Sequence, residues 1–436
     1  MTDYNKGLIS FLDKSPTAFH AVSSIKKKLV ASGYFELVES EKWELTEGGK
    51  YFVTRNDSSI IAFRVPRFNF TGFMISAAHS DSPAFKVKEN PEIVENGYVK
   101  LNVEGYGGML MAPWLDRPLS VAGRIIVKNG NKLEVRLVNV DRDLLLIPNV
   151  AIHMNRDANK GQTWNAQVDM LPVLGSADEA KGSFMRIIAE SASVSDSDII
   201  SHDLFVYARD KGKVWGGSDE YISSPHLDDL QCVYGCLEGF LGANNSSSVP
   251  VLAVFDNEET GPLTKQGADS TFLEDVLKRI SLSCSKDEEG YYRAVSSSFM
   301  VSADNAHALH PNHPEKADPV NRPAINKGIV IKFNAAQHYT TDAVSCAVYR
   351  DLCESNDIPV QVFTNRSDSR GGSTLGNVSN AHVSLNTVDI GLAQLAMHSC
   401  YETAGAKDTK HLIDAMTIFY SKTFRVGASG SFELLD

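Results

Sequence analysis

Acidic residues and histidines follow several apolar runs of this chain at the points where those runs end. His79 and Asp81 come directly after the run GFMISAA, in the segment AAHSDSP. Glu258 and Glu259 come after the run VPVLAVF, in the segment FDNEETG. Asp304 ends SFMVSAD in the same way. Because ligand sites in open α/β sheets form outside the carboxyl ends of the strands, we expect these side chains to converge on one site.

Two further candidates lie elsewhere. Asp228 stands in SPHLDDL at the predicted start of a helix, and His398 stands in LAMHS after the last predicted strand. A pair of divalent ions about 3.5–4 Å apart needs a mixed shell of carboxylates and imidazoles, with one carboxylate bridging both ions. Such a pair clamps a substrate and generates hydroxide at neutral pH, and a nearby carboxylate that binds no metal can shuttle the proton.

The adjacent acids Glu258 and Glu259 suit this division, because one can bind metal while the other acts as the base. In a His-x-Asp pair, the aspartate commonly orients the histidine ring. Each feature alone has an ordinary explanation: His-x-Asp arises by chance, an acidic run is usually solvated or begins a helix, and a single histidine is usually a core residue. Their combination at strand ends favours a binuclear metal site.

The elements that must position these residues form a strand–helix alternation in both outer parts of the chain. Apolar spacing predicts a helical region over 4–32. Predicted strands are 59–65, 72–78, 249–255, 298–303, 329–334, 359–364 and 383–388. Further predicted helices are 227–242, 341–355 and 408–422. This pattern predicts an α/β fold, a three-layer catalytic domain with a mostly parallel sheet.

The pattern of predicted secondary structure changes between residues 87 and 222, where short β-type runs alternate with Gly/Asn/Asp turns. The runs include RIIVK at 124–128, KLEVRLV at 132–138, FMRIIAE at 184–190 and DLFVYAR at 203–209. We therefore predict an inserted β-rich domain over 87–222, which mediates dimer contacts. The catalytic domain comprises 1–86 and 223–436.

The bulk composition is ordinary for a globular protein, with 43% apolar and 22% charged residues. The net charge of −12 argues against a broad nucleic-acid or anionic-membrane surface, but it allows a locally basic pocket. No signal peptide is visible and no run approaches the ~20 apolar residues of a membrane span, so we expect a cytoplasmic protein. The six cysteines form no CxxC pair, which favours reduced structural thiols over a redox or metal role.

The chain resembles the M18 (aspartyl aminopeptidase-like) metalloaminopeptidases along nearly its whole length. The matching segments, in chain order, are SAAHSDSP, YGGMLMAPWLDRPLSVAGR, VAIHMNR, SSPHLDDL, FDNEETG, SADNAHALHPN, NKGIVIKFN, NRSDSRGGSTLG and LAMHSCYETAG. They separate this family from other two-zinc exopeptidases. The resemblance implies an enzyme that removes N-terminal residues from short peptides with two Zn²⁺ ions, which Co²⁺ or Mn²⁺ can replace.

The resemblance also implies five metal ligands. Asp228 would bridge the two zinc ions, His79 and Asp304 would complete one zinc site, and Glu259 and His398 would complete the other. One zinc would in addition hold the free α-amine of the substrate. That contact explains the removal of terminal residues rather than cleavage within a chain.

Two residues outside the ligand set receive catalytic roles from the resemblance. Glu258 would accept the proton of the attacking water and return it to the leaving amine. Asp81 would hold the ring of His79.

Four more residues are implied to contact the substrate. His153, in the inserted domain, would reach the active site of a neighbouring subunit, or it is a packed or surface histidine. Lys332 would supply the cation of the substrate pocket, whereas a lysine in a strand usually snorkels or pairs. Tyr339 would donate a hydrogen bond near the reacting carbonyl, and Gly372 would let its loop approach the substrate. For Tyr339 and for Gly372, the alternative is a purely structural role.

Two other motifs receive no role in catalysis. His307, His310 and His313 resemble a metal cluster, but we interpret them as loop residues that support the site, since Asp304 already fills the ligand role. The segment EGYGGML at 104–110 is not a phosphate loop, because it lacks the following Lys-Ser/Thr and a strand-to-helix setting.

The substrate preference is the least determined property. The resemblance favours acidic N-terminal residues, Asp or Glu, and implies a dodecamer built from dimers, with active sites facing a chamber that admits short peptides. Asp229 and Arg370 differ from the residues of better-known relatives, and both can alter the charge of the pocket. The alternatives are a neutral-residue (Leu-type) aminopeptidase, an inactive cage-forming scaffold, and a two-zinc carboxypeptidase or deacylase.

Overall fold

The computed structural model describes residues 2–369 and 371–436, so Arg370 lies outside the described residues. The first part of the chain comprises α1 (Asp3–Asp13), α2 (Ala18–Ala31), β1 (Phe35–Glu36), β2 (Lys50–Arg55), β3 (Ser59–Arg64) and β4 (Phe73–His79). The helical region predicted over 4–32 is thus two helices. The break falls beside Pro16, because proline lacks an N–H and disfavours helical geometry in the preceding residue.

The middle of the chain is mainly antiparallel. Its elements are β5 (Ala84–Glu95), β6 (Tyr98–Tyr106), β7 (Leu119–Asn129), β8 (Lys132–Asn139), β9 (Val173–Ser176), α3 (Ala177–Ala180), α4 (Phe184–Ala192), β10 (Ile199–Ala208) and β11 (Lys213–Trp215). Six strands form one sheet in the order β8-β7-β10-β5-β6-β9, with every pairing antiparallel.

One strand prediction in this part is wrong. The run FMRIIAE at 184–190 belongs to helix α4. Phe184 and Ile188 stand four residues apart and are buried on the same side, which is the spacing of a helix face. A run this short carries too little alternation to exclude a strand from the sequence alone.

The last part of the chain returns to strand–helix alternation. Its strands are β12 (Tyr221–Ser224), β13 (Val249–Phe255), β14 (Phe299–Ala303), β15 (Ala306–His307), β16 (Ile329–Phe333), β17 (Val360–Thr364), β18 (Asn386–Gly391), β19 (Ala393–Leu395), β20 (Glu402–Gly405), β21 (Thr423–Val426) and β22 (Phe432–Leu435). Its helices are α5 (Leu227–Gly242), α6 (Phe272–Ser283), α7 (Glu288–Ser296), α8 (Ala343–Glu354), α9 (Leu375–Ser379) and α10 (Asp408–Ser421).

The strand predicted over 383–388 begins later than expected, at Asn386. The Asn380 side chain accepts a hydrogen bond from the backbone N–H of Leu385, at 3.2 Å. An asparagine that binds the backbone in this way competes with the ladder of the sheet and keeps the segment in a turn.

A nine-stranded sheet combines strands from the first and last parts of the chain, in the order β1-β2-β3-β13-β4-β14-β18-β16-β17. Five of its eight pairings are parallel, and three are antiparallel. Helices α1, α2, α5, α8 and α10 pack on one face, and α6, α7 and α9 pack on the other. The predicted three-layer α/β fold with a mostly parallel sheet is confirmed.

The central strands β4 and β13 explain how the site is positioned. Every residue of both strands is buried, because helices cover both faces of the sheet. Along β13, Val251 and Ala253 face one helical layer, while Leu252 and Val254 face the other. The two strands are parallel and in register, with His79 opposite Phe255, so their carboxyl ends lie side by side.

The division into 1–86 with 223–436 and 87–222 stays a prediction. Strand β11 lies inside the predicted insertion, but it pairs with β12 in a second sheet of order β11-β12-β20-β19-β15.

All six cysteines are buried and free, and Cys232 and Cys236 both lie in α5. Within 2–369 and 371–436, no helix combines the length and apolar character that crossing a membrane requires.

Candidate metal centre

Three neighbouring parallel strands, β13, β4 and β14, deliver acidic residues and a histidine to one edge of the large sheet. His79 is the last residue of β4 and is 1% exposed. Glu258 and Glu259 lie in the short 3₁₀ turn after β13, and Asp304 follows β14 directly. The expected convergence of these four residues is therefore present.

Asp228 approaches the same edge from the start of α5. The backbone of Asp228 and Asp229 departs from helical geometry, and the peptide bond between them is cis. Three loop residues around the site have positive φ angles without being glycine: His226 at 60°, Asn257 at 64° and His398 at 64°. Such conformations cluster at functional sites, where the surrounding structure must enforce them.

The carboxylate of Asp228 lies between two histidines. Its Oδ1 is 3.6 Å from Nε2 of His79, and its Oδ2 is 3.4 Å from Nε2 of His398. The same nitrogen of His398 is also 3.4 Å from Oε2 of Glu259. Ligand atoms within 4.8 Å of one another define three overlapping groups. They are His79, Asp228, Asp229 and Asp304; His79, Glu258 and Glu259; and Asp228, Glu259 and His398.

The donor set fits divalent metal ions. Asp228 Oδ1 and Glu259 Oε1 are buried and have no hydrogen-bond partner among the described residues. A buried anionic oxygen without a partner is costly, and a metal ion is one of the few groups that satisfy it. Imidazole nitrogens with carboxylate oxygens suit zinc, and they also accept cobalt or manganese.

The charges within the cluster shift one another's pKa values. Burial raises the pKa of Glu258 to about 7, with Asp304 and Asp81 adding to the rise and His79 opposing it. Burial lowers the pKa of His79, but the negative charges of Asp228, Asp229 and Asp81 together outweigh burial and leave the pKa well above its usual value. Asp228 shows the reverse: burial raises its pKa, and the two flanking histidines bring it below the usual value.

Asp81 contacts the centre through two different groups. Its backbone carbonyl is 3.0 Å from Nδ1 of His79 and can accept a hydrogen bond from it. Its carboxylate accepts hydrogen bonds from the backbone N–H groups of Glu258, at 3.2 Å, and Glu259, at 3.1 Å. The hydroxyl of Tyr106 donates a third bond to the same carboxylate, at 2.8 Å. Asp81 thereby joins the ring of His79 to the turn that carries the two glutamates.

Glu402 contacts the opposite side of the centre, and sequence reasoning gave it no role. Its carboxylate accepts from the backbone N–H of Asp228, at 2.9 Å, and from that of His398, at 2.8 Å. It is 2% exposed, which is unusual for a glutamate. Its place in the matched segment LAMHSCYETAG was the available signal. Tyr106 was also missed, although it lies in EGYGGML.

A cavity of about 550 Å³ opens beside the cluster. Of the predicted substrate-binding residues, Lys332, Tyr339 and Gly372 line it, together with Glu258 and the five predicted ligands. The Lys332 ammonium is 3.4 Å from Asp304 Oδ1 and 5.4 Å from the centre of the Tyr339 ring. Burial lowers the pKa of Lys332, but Asp304 and the other acidic groups around the ammonium together outweigh burial and raise the pKa above its usual value. The cavity therefore holds a lysine cation.

His153 is the one predicted site residue that lies apart from this cluster and cavity. It is exposed in an irregular segment of the middle part of the chain. Among the other histidines, His307 lines the cavity, and His310 and His313 line an adjoining depression. None of these three belongs to a metal-binding group among the described residues, and His307 lies in strand β15 rather than in a loop.

Buried carboxylates and histidines around a cavity, at the carboxyl ends of parallel strands, are the site architecture of metal-dependent hydrolases. Residues 11–420 match the family described as Peptidase M18, aminopeptidase I zinc metalloprotease. The chain therefore belongs to the M18 family of metalloaminopeptidases, as the matched segments predicted.

Individual relatives agree with this assignment. The chain is 49% identical over 427 residues to the "Probable M18 family aminopeptidase 2" of Clostridium acetobutylicum, covering 96% of this chain and 99% of the relative. Among solved structures, it is similar to one of the Ape4 and Nbr1 complex, with a TM-score of 0.92, 34% identity and coverage of 96% and 85%. It is also similar to the mApe1 dodecamer of S. cerevisiae, with a TM-score of 0.84, 27% identity and 96% coverage of both chains.

Proposed function

We propose that the chain is a two-zinc aminopeptidase that removes acidic N-terminal residues from short peptides. The observation that carries the proposal is the position of Asp228, whose two carboxylate oxygens each face a different histidine, His79 and His398. A carboxylate so placed can bridge two ions. His79 and Asp304 would complete the site on one side of it, and Glu259 and His398 the site on the other.

When bound, the metal pair supplies electrophilic activation of the scissile carbonyl and of the attacking water. The chain's own residues handle the proton and the orientation. The Glu258 carboxylate lies beside the ligands on the cavity wall, where it can take a proton from water and return it to the leaving amine. Asp81 fixes the turn that carries Glu258 and orients the ring of His79.

The acidic preference rests on the lysine in the cavity. Lys332 is 3% exposed and remains cationic, so a carboxylate on the substrate can form a charge-assisted hydrogen bond with it. Asp304 competes for the same cation. Tyr339 and Gly372 line the same cavity and would contact the substrate.

One observation favours the alternative, a neutral-residue aminopeptidase. The cavity also has apolar lining from Phe363, Leu375, Val378 and Met397. These side chains would suit a leucine side chain through apolar burial. The two preferences therefore depend on which part of the wall contacts the first residue of the substrate.

We further propose that the chain assembles into a homo-oligomer, a dodecamer like that of the similar mApe1. Edge strand β8 exposes Leu133, Val135 and Leu137, an apolar row that favours association. His153 stands between the exposed residues Ile152 and Met154, so a surface that buries these two in a neighbour would bring His153 to that neighbour. A cytoplasmic location stays a prediction.

Hydrolysis of Asp-, Glu- and Leu-anilides by the purified enzyme, with chelator and with added zinc, tests the proposal. We expect metal-dependent cleavage that favours Asp or Glu. Metal-dependent cleavage that favours Leu would retain the mechanism and overturn the acidic preference. Absence of cleavage of all three substrates with zinc, cobalt or manganese would support the inactive scaffold.

A further inference from the structure

The segment Tyr106–Gly108, which we call the YGG turn, contacts the candidate metal centre from the middle part of the chain, outside the predicted catalytic domain. It begins at Tyr106, the last residue of strand β6 in the six-stranded sheet, and leads away from that sheet. In the sequence it belongs to EGYGGML, a motif to which the proposed mechanism assigns no role. Each of its three residues makes a different contact with a loop that carries proposed metal ligands.

Tyr106 contacts the glutamate turn through two hydrogen bonds. Its hydroxyl donates to Asp81 Oδ2 at 2.8 Å and accepts from the side-chain amide of Asn257 at 2.9 Å. Asp81 in turn accepts the backbone N–H groups of the two glutamates, and Asn257 directly precedes them. The ring of Tyr106 packs edge-on against Phe205 of β10, with ring centres 5.4 Å apart. The six-stranded sheet thus fixes the hydroxyl that holds this turn.

Gly108 contacts the opposite side of the centre. Its backbone carbonyl accepts a hydrogen bond from Nδ1 of His398 at 2.6 Å. A carbonyl can only accept, so it selects the tautomer with a proton on Nδ1 and leaves the Nε2 lone pair free. That Nε2 faces Asp228 and Glu259. The N–H of Leu110, two residues further on, also donates to the His398 carbonyl, at 3.0 Å.

Gly107, between these two residues, passes close to Glu259. A Cβ atom at this position would lie 3.1 Å from Glu259 Cβ and 3.3 Å from its carbonyl oxygen. Both distances are shorter than an ordinary van der Waals contact, so a side chain here would displace the turn that carries Glu259. Gly107 also has a φ of 76°, which favours glycine.

From these contacts we infer that Tyr106, Gly107 and Gly108 are positioning residues that hold the ligand loops on both sides of the metal centre at their binding separation. Tyr106 fixes the glutamate turn, Gly108 fixes the ring of His398, and Gly107 permits the close approach that makes both contacts possible. The six-stranded sheet therefore sets metal affinity, although it supplies no ligand. This inference rests on the proposed metal-dependent function.

The first test replaces only the hydroxyl of Tyr106. Removal of a group that orients a metal ligand commonly weakens metal affinity about 10- to 100-fold, and we expect a loss of this size for Tyr106→Phe. The measurements are Zn²⁺ affinity by competition with a chelator and the visible absorption spectrum of the Co²⁺-loaded protein, which reports ligand geometry. The melting temperature of the metal-free protein monitors folding.

The matched control is Tyr207→Phe. Tyr207 is a buried tyrosine of β10, and its hydroxyl bonds to Asn139 at 2.8 Å, away from the centre. We expect the wild-type Zn²⁺ affinity and Co²⁺ spectrum in this variant. Wild-type affinity and an unchanged spectrum in Tyr106→Phe would overturn the inference. Failure of the wild-type protein to bind either metal would instead overturn the proposed function.

The second test compares two glycines with the same backbone strain. Gly97, in the turn between β5 and β6, has a φ of 82°, but a Cβ atom there would meet nothing within 4 Å. Gly97→Ala and Gly107→Ala therefore both place an alanine in the left-handed backbone conformation. Only the new methyl group of Gly107→Ala comes into close contact with Glu259. We expect weaker Zn²⁺ binding in Gly107→Ala alone. Equal Zn²⁺ affinities in the two folded variants would contradict the role of the YGG turn, and if Gly107→Ala does not fold, Tyr106→Phe decides the question.

Discussion

The ammonium nitrogen of Lys332 lies 3.4 Å from a carboxylate oxygen of Asp304. Asp304 is a proposed metal ligand, and Lys332 is the proposed cation of the substrate pocket, so one contact connects the two functions. Strand β16, which carries Lys332, runs antiparallel to β18, while β14, which precedes Asp304, runs parallel to β18. Lys332 thus reaches the centre from a strand of opposite direction.

Replacing Lys332 by methionine tests the acidic preference. We expect kcat/KM for Asp- and Glu-anilides to fall about 10- to 100-fold, because a hydrogen bond to a charged group contributes about 1.5–3 kcal/mol. Leu-anilide would change far less. Lys332→Arg, which keeps the charge, is the matched control for the loss of the cation. An equal fall for all three substrates would indicate that Lys332 acts mainly through Asp304.

Replacing Glu258 by glutamine tests the general base. The amide keeps the shape of the side chain but cannot accept a proton, so we expect kcat to fall at least about 100-fold. Metal content should stay at the wild-type level, since Glu258 is not one of the five proposed ligands. Steady-state kinetics and metal analysis on the same preparation measure both quantities. Turnover at the wild-type rate would exclude Glu258 from this role.

Replacing Glu402 by glutamine tests whether its carboxylate holds the backbone of two proposed ligands, Asp228 and His398, in position for the metal ions. An amide offers one acceptor oxygen instead of two, so it cannot satisfy the backbone N–H groups of both Asp228 and His398. We expect about 10- to 100-fold weaker Zn²⁺ binding, measured by chelator competition. Glu92→Gln is the control, because Glu92 accepts two backbone N–H groups at 182 and 184, far from the centre. Equal affinities in both variants would contradict the prediction.

Zinc should stabilise the folded chain. A ligand that binds only the native state at 100 times its Kd adds about 2.7 kcal/mol to the free energy of unfolding. We therefore expect the melting temperature to rise with zinc concentration and to fall again with chelator. Asp304→Asn, which removes the charge of one proposed ligand, should reduce the zinc-dependent rise. If the melting temperature of the wild-type chain does not change with zinc concentration, the cluster does not bind zinc.

The strands that end at the site could be predicted because their sequences are unambiguous. Residues 249–255 form an unbroken apolar run that stops at an acidic segment, and the observed strand has the same bounds. Residues 72–78 were predicted one residue early, since β4 includes His79. Continuous burial on both faces produces such runs, and the polar residues that follow them mark the edge where ligands gather.

The contacts that orient the ligands could not be predicted. The hydrogen bond from His398 to the Gly108 carbonyl joins residues 290 positions apart. Every residue has a backbone carbonyl, so the residue type does not show which one accepts this bond. The hydroxyl of Tyr106 and the amide of Asn257 are 151 positions apart. Such pairs depend on how the six-stranded sheet packs against the nine-stranded sheet and its loops, and local sequence patterns do not encode that packing.

Metal analysis of the wild-type chain and of Asp228→Asn, after equilibration with zinc and removal of free metal, tests the bridging role of Asp228 most directly. Two zinc ions per wild-type chain are expected, with both sites weakened in the variant because the bridging carboxylate serves both ions. One zinc per wild-type chain, or two tightly bound zinc ions in Asp228→Asn, would contradict a binuclear centre bridged by Asp228.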